Sequence, residues 1–250
     1  MNQFINNLDN VIKYSYRFTF GNGTKKTFDI NLDARTFDYL PNEELKPPEW
    51  ANLTYNRCAN CALDEKQYTF CPVALNITSL VAAFKDMVSY EEVNIAVTAG
   101  ERSFSKQTTA QQGVSSLLGI YMVASRCPFL MKLKPLLYFH LPFATPSETI
   151  FRVASMYLLA QYFLKKNDQS FDLEMKGLVS LYEDIQKVNK GILSRIRDIC
   201  KNDAVINAVI KLDLFARNTP DLVKEDLERI KYLFTAYFQP QMNPVRSVRE

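Results

Sequence analysis

A chain of 250 residues, 47% of them hydrophobic, is long enough to bury a sizeable core without disulfide staples. Its 30 basic and 27 acidic residues are well mixed and leave a net charge of +3, which gives no polybasic footprint for nucleic acid. The opening MNQFINNLDNVIKYSYRF has no apolar h-region followed by a small-residue cleavage site, and no apolar run reaches the roughly 20 residues of a membrane span; a reducing, cytoplasmic setting is expected.

Lys13 to Phe20 alternates strictly, with Tyr14, Tyr16, Phe18 and Phe20 on one face, which predicts a half-buried strand. The GNG at Gly21 to Gly23 supplies a turn, and Thr27 to Leu32 returns with Phe28, Ile30 and Leu32 on one face. Without a basic cluster beside it, the aromatic stripe reads as core and not as a base-stacking platform. A turn-rich connector, Asp33 to Trp50, ends after the double proline Pro47–Pro48 and delivers the chain to a cysteine-rich stretch.

Beyond that stretch, Asn76 suits the N-cap of a helix over ITSLVAAFKDMVS. Val93, Ile95 and Val97, the turn at Ala99 to Glu101 and the return over Arg102 to Gln107 predict a second hairpin. Thr108 or Thr109 then caps a helix whose Ala110, Gly113, Ser116 and Gly119 form a small-residue stripe. Each internal glycine costs about 1 kcal/mol relative to alanine, which predicts a close neighbour, usually another helix, with a ligand groove lined by Gln111, Gln112 and Ser115 as the alternative. Glu148 to Lys166 is apolar nearly all round and reads as the central helix, on which Arg152 must snorkel or meet a carboxylate or ligand, an ion pair within the fold being the preferred reading. From Asp172 onward three amphipathic helices are expected, the last with Pro220 in its first turn, before a loose tail marked by Pro240 and Pro244. The predicted fold is α+β: two antiparallel β-hairpins with a four-cysteine metal knuckle, packed on a mainly helical C-terminal half. The predicted division is a metal-binding core over 1–170 and a helical extension over 171–250.

The chemistry sits in NRCANCALDEKQYTFCPVALN. Cys58 and Cys61 form a CxxC pair, Cys71 follows, and Cys127 is the candidate fourth ligand; both Cys71 and Cys127 precede proline. The two thiolates of a CxxC turn can reach one ion, and zinc takes four such ligands in a tetrahedron. Proline after a cysteine biases that cysteine toward extended backbone, which helps hold its sulfur. The metal expected is Zn²⁺ on Cys58, Cys61, Cys71 and Cys127. A [4Fe-4S] cluster is the alternative, because four thiolates serve either and Cys-Pro steps also occur among cluster ligands. Three-cysteine zinc with an open position or His140, and no metal at all, also stay open. Catalysis at an open zinc position needs a general base, for which Glu101, His140 and Glu148 are the nearest polar options. With four thiolate ligands there is no water position, so the function expected is a non-enzymatic, zinc-stabilised module that binds a protein partner or ligand, and the alternative is an iron-sulfur redox or sensing protein.

Several stretches together, NRCANC, FCPVALN, SKQTTAQQGVSSLLG, RCP, FHLPFA and ETIFRVASMYLLAQYF, resemble an uncharacterised family of bacterial proteins of unknown function, from about Tyr14 to Lys201. The resemblance implies a bacterial, cytosolic setting and brings no activity, substrate or cofactor.

Overall fold

The computed structural model describes residues 10–42, 46–221 and 227–238. The alternating segments form β1 (Val11–Phe20) and β2 (Lys25–Asp33), joined through the tight turn in which the Gly23 amide donates to the Phe20 carbonyl. A short β3 (Tyr39–Leu40) follows, then the connector, α1 (Pro72–Phe84), β4 (Glu92–Ala99) and β5 (Arg102–Thr109). The remainder is helical: α2 (Ala110–Val123), α3 (Pro135–Tyr138), α4 (Pro146–Lys166), α5 (Lys176–Arg197) and α6 (Ala204–Asp221).

The two predicted hairpins are one sheet. Its order is β3-β2-β1-β4-β5, and every neighbouring pair is antiparallel. Strand β1 is shared: Tyr16 lies opposite Phe28 on one side and Val97 on the other, while Tyr14 lies opposite Ile30 and Ala99. Because side chains alternate with period two, this register gathers Tyr14, Tyr16, Phe18, Ile30, Leu32, Val93, Ile95 and Val97 on one buried face. The aromatic stripe is therefore core, as its pattern predicted.

Helices α1 and α2 cover that face. Phe84 of α1 packs on Phe18 and Phe28, with ring centroids 5.1 and 5.5 Å away. Gly113 of α2 lies directly on the sheet: a Cβ there would overlap Ile95 Cδ1 and come within 2.6 Å of Phe18 Cε1. The close neighbour predicted for the glycine stripe is thus a strand pair and not a helix, and Gly119 faces open space. Side chains of α5 and α6 join the same hydrophobic core as the sheet.

Several boundaries differ from expectation for local reasons. Helix α1 begins directly after Cys71 with Pro72 in its first turn, where a missing N–H does no harm; Asn76 lies inside the helix and donates to the Tyr121 carbonyl at 3.0 Å. Helix α4 starts from Thr145, whose hydroxyl accepts the Glu148 amide while the Glu148 carboxylate accepts the Thr145 amide. It is not central. Among the described residues it buries Ile150, Val153, Ala154 and Gln161 and exposes Phe151, Leu159, Tyr162 and Phe163, because α1 and α2 already cover the sheet. Arg152 has no ion pair among the described residues; its guanidinium donates to the carbonyls of Leu136 and Phe139 at 3.1 and 2.7 Å. Helix α6 runs on through Pro220, so that proline starts no helix, and 227–238 forms short helical turns. Pro240 and Pro244 lie outside the described residues. No helix among the described residues is long and apolar enough to cross a membrane.

Candidate metal centre

Residues Glu49–Ala51 make one 3-10 turn, after which Asn52 pairs with Phe70 in an isolated antiparallel bridge. The Leu53 amide donates to Thr69 O at 2.9 Å and the Cys71 amide to Ala51 O at 2.8 Å, which closes the loop between them at its base. Cys58 and Cys61 form a turn inside this loop, with the Cys61 amide on the Cys58 carbonyl at 3.0 Å. Arg57 braces the turn from outside through the carbonyls of Leu63 (2.6 Å) and Cys61 (3.3 Å) and an ion pair with Glu65.

Cys71 is the last residue before α1, in extended backbone at φ −70° and ψ 119°, the geometry that the following proline favours. Its place at a helix N-terminus faces the positive end of the peptide dipoles. Cys127 follows α2, where the backbone amides of Phe129 and Leu130 favour its thiolate against the opposing effect of burial. The four cysteines thus arrive on three separate stretches of chain and line one cavity of about 20 Å³, walled by Leu63, Val73, Phe129 and Val188. A volume of that size holds one water-sized particle.

Helix α5 presents the surface on which the loop rests. Asn60 donates to the carbonyl and side chain of Asp184 at 3.2 and 3.1 Å, and the Cys58 thiol to Val188 O at 3.8 Å. Gly191 abuts Cys58: a Cβ there would lie 2.5 Å from Cys58 Sγ and 3.1 Å from its Cα. Arg195, 1% exposed, donates to the carbonyls of Trp50, Asn52 and Leu53 at 2.6, 2.7 and 3.1 Å. Tyr55 and Asn56 both donate to Asp198 Oδ2. Positions 184, 188, 191, 195 and 198 alternate steps of four and three, so they form a single stripe along the helix.

The expectation of a formed four-cysteine knuckle is corrected in one respect. Among the described residues, no group of three or more His, Cys, Asp or Glu side chains is arranged to hold a metal ion, although the four cysteines share a cavity. Burial, followed by the neighbouring Cys71, Cys127 and Cys61, pushes the Cys58 thiol up to about 12, and burial also raises that of Cys127. The Cys58 thiol turns its hydrogen to the Val188 carbonyl, whereas ligation requires thiolates. Cys200 lies elsewhere, half-buried, with its thiol pushed up to about 11 by burial.

The other polar candidates are engaged apart from the cysteines. His140 Nε2 shares a 2.6 Å hydrogen bond with the Tyr16 hydroxyl, which also meets Ser116 Oγ at 2.9 Å, and its ring packs edge-on against Tyr14. Burial and then the Arg152 charge press its pKa down to about 3, so it stands neutral. Glu148 is held in the α4 cap, and Glu101 lies exposed in the β4–β5 turn. Sequence reasoning missed Gly191 and Arg195, for which the only signal was a glycine and an arginine within an amphipathic helix. It also missed a second, larger cavity of about 800 Å³ between α3, α4 and the start of α5, walled by Leu136, Phe139, Phe151, Met156, Leu164 and Leu181.

The family model for a domain of unknown function, DUF6901, matches residues 14–235. No curated protein and no solved structure matches the chain.

Proposed function

Since the chain belongs to the DUF6901 family of domains of unknown function, we propose that it is a non-enzymatic module in which structural zinc fastens the cysteine loop to the helical layer, leaving the outer helices free to bind a partner or ligand. Cys58, Cys61, Cys71 and Cys127 would hold the ion as thiolates. Zinc supplies folding energy there and, with all four positions taken by sulfur, no activated water. One observation carries the reading: four cysteines from three stretches line a single cavity of one-particle size. The donors beside them suit an anionic sulfur cage, with two amides on Cys127 and the guanidinium of Arg57 at Cys61. Gly191 leaves the space that the CxxC turn fills.

A cavity of about 20 Å³ favours one ion over an eight-atom [4Fe-4S] cluster. The cytoplasmic, bacterial setting expected of the sequence is one in which such thiols stay reduced. The reading is tested by stripping metal with a strong chelator and following thermal unfolding. A fall in melting temperature that added Zn²⁺ reverses is expected; metal loss with no change in stability rules out the structural role.

A further inference from the structure

We propose that the cavity between α3, α4 and the start of α5 binds an amphipathic monocarboxylate, an aliphatic acid whose carboxylate meets Arg152 and whose chain lies along the apolar walls. The inference deepens the binding half of the reading above and rests on it, but does not depend on the metal. Its volume of about 800 Å³ lies in the range of small-molecule sites, and its walls are mostly aliphatic and aromatic. Among the described residues no aspartate or glutamate lines it, and the charged groups that do are Arg152 and Lys132.

Arg152 is half-buried and, among the described residues, donates through Nη2 alone, to the Leu136 and Phe139 carbonyls. A guanidinium has five N–H donors, so the Nη1 and Nε hydrogens remain for an incoming acceptor. Neither nearby carboxylate forms an ion pair with it among the described residues, although the Glu148 charge acts on the guanidinium from one turn away. Glu148 holds its Oε2 on the amide and hydroxyl of Thr145 at 2.7 and 2.9 Å. Asp172 accepts the Gly177 amide at 2.7 Å, the Tyr157 hydroxyl at 2.9 Å and the Glu174 amide at 3.0 Å. Asp172 thereby places a carboxylate on the Gly177 amide in the first turn of α5, which disfavours a phosphate there. What remains is one planar cation against an apolar chamber, which matches a planar carboxylate of single charge carrying an apolar body.

The test is equilibrium dialysis of the zinc-replete full chain against myristate and against 1-tetradecanol, both below their aggregation limits. Wild type should bind myristate, and roughly tenfold or more tighter than the alcohol. Arg152→Met should abolish that preference and leave the alcohol bound. Ala160→Trp, on the exposed wall of the cavity, should reduce both while Arg152 stays in place, which guards against a fold defect in the arginine variant. Equal affinity of wild type for acid and alcohol would overturn the carboxylate assignment, and myristate binding undisturbed by Ala160→Trp would place the ligand elsewhere. If neither compound binds, the ligand-binding reading fails with it, while metal content reports on the zinc reading separately.

Discussion

Replacing Arg195 with methionine isolates what one buried guanidinium does for the loop that carries the cysteines. Methionine keeps most of the aliphatic stem and removes the hydrogen bonds to Trp50, Asn52 and Leu53. The Asn52 carbonyl retains the Tyr55 amide at 3.2 Å, so the penalty falls on the carbonyls of Trp50 and Leu53. A buried acceptor left without a donor costs about 1–3 kcal/mol. Part of that is offset because methionine no longer buries a charge, one whose Nε lacks a partner in any case. A net loss of about 3 kcal/mol follows, or a melting temperature lower by roughly 6–12 °C for a chain of this size. Urea denaturation followed by circular dichroism measures it. Arg195→Lys should recover only part of the loss, since one ammonium cannot span three carbonyls as the planar fork does. A methionine variant within about 0.5 kcal/mol of wild type would refute the claim that Arg195 anchors the loop.

Lowering the pH should destabilise the protein through His140. Its folded pKa of about 3 lies below the ordinary 6.5, so the unfolded chain takes up a proton that the folded chain refuses. Stability is whole above the unfolded value and falls by up to about 1.4 kcal/mol per unit as pH drops toward the folded one. Between pH 6.5 and 5 this slope should vanish in His140→Asn; equal slopes in both proteins would show that the imidazole is not held neutral. Gly191→Ala sets a helix-propensity gain of about 1 kcal/mol against crowding of about 1–3 kcal/mol at Cys58. It should unfold more easily and retain less metal, whereas Gly119→Ala, facing open space, should gain about 0.5–1 kcal/mol. Reversal of that order in thermal melts would contradict the packing at Gly191. Thr145→Ala, which opens the α4 capping box, should lose about 1 kcal/mol by the same assay; an unchanged melt would show that the cap contributes nothing.

The strands were legible because alternation in KYSYRFTF and in Val93 to Val97 reports directly which side chains face the core. Their union into one sheet was not, since the pairing of Tyr16 with Val97 spans most of the N-terminal half and leaves no local trace. The CxxC and the two Cys-Pro steps named the residues that share the small cavity. Their platform stayed hidden because Asp184, Val188, Gly191, Arg195 and Asp198 make a mixed stripe without hydrophobic periodicity. Helix α4 misled for the opposite reason. Apolar residues all round ordinarily mean burial in the core, but here only the side with Ile150, Val153 and Ala154 is buried, while Phe151, Leu159 and Phe163 wall an open cavity and stay exposed. Arg152 gave no hint of its carbonyl partners, because a four-residue helix such as α3 is too short to show a period.

The measurement that bears most directly on the zinc-fastened loop is elemental analysis of protein purified anaerobically without added metal, beside a Cys71→Ser variant prepared in the same way. About one zinc per chain in the wild type and clearly less in the variant is the expected result. Wild-type protein that is fully folded yet free of zinc, or that carries iron with acid-labile sulfide, would contradict it.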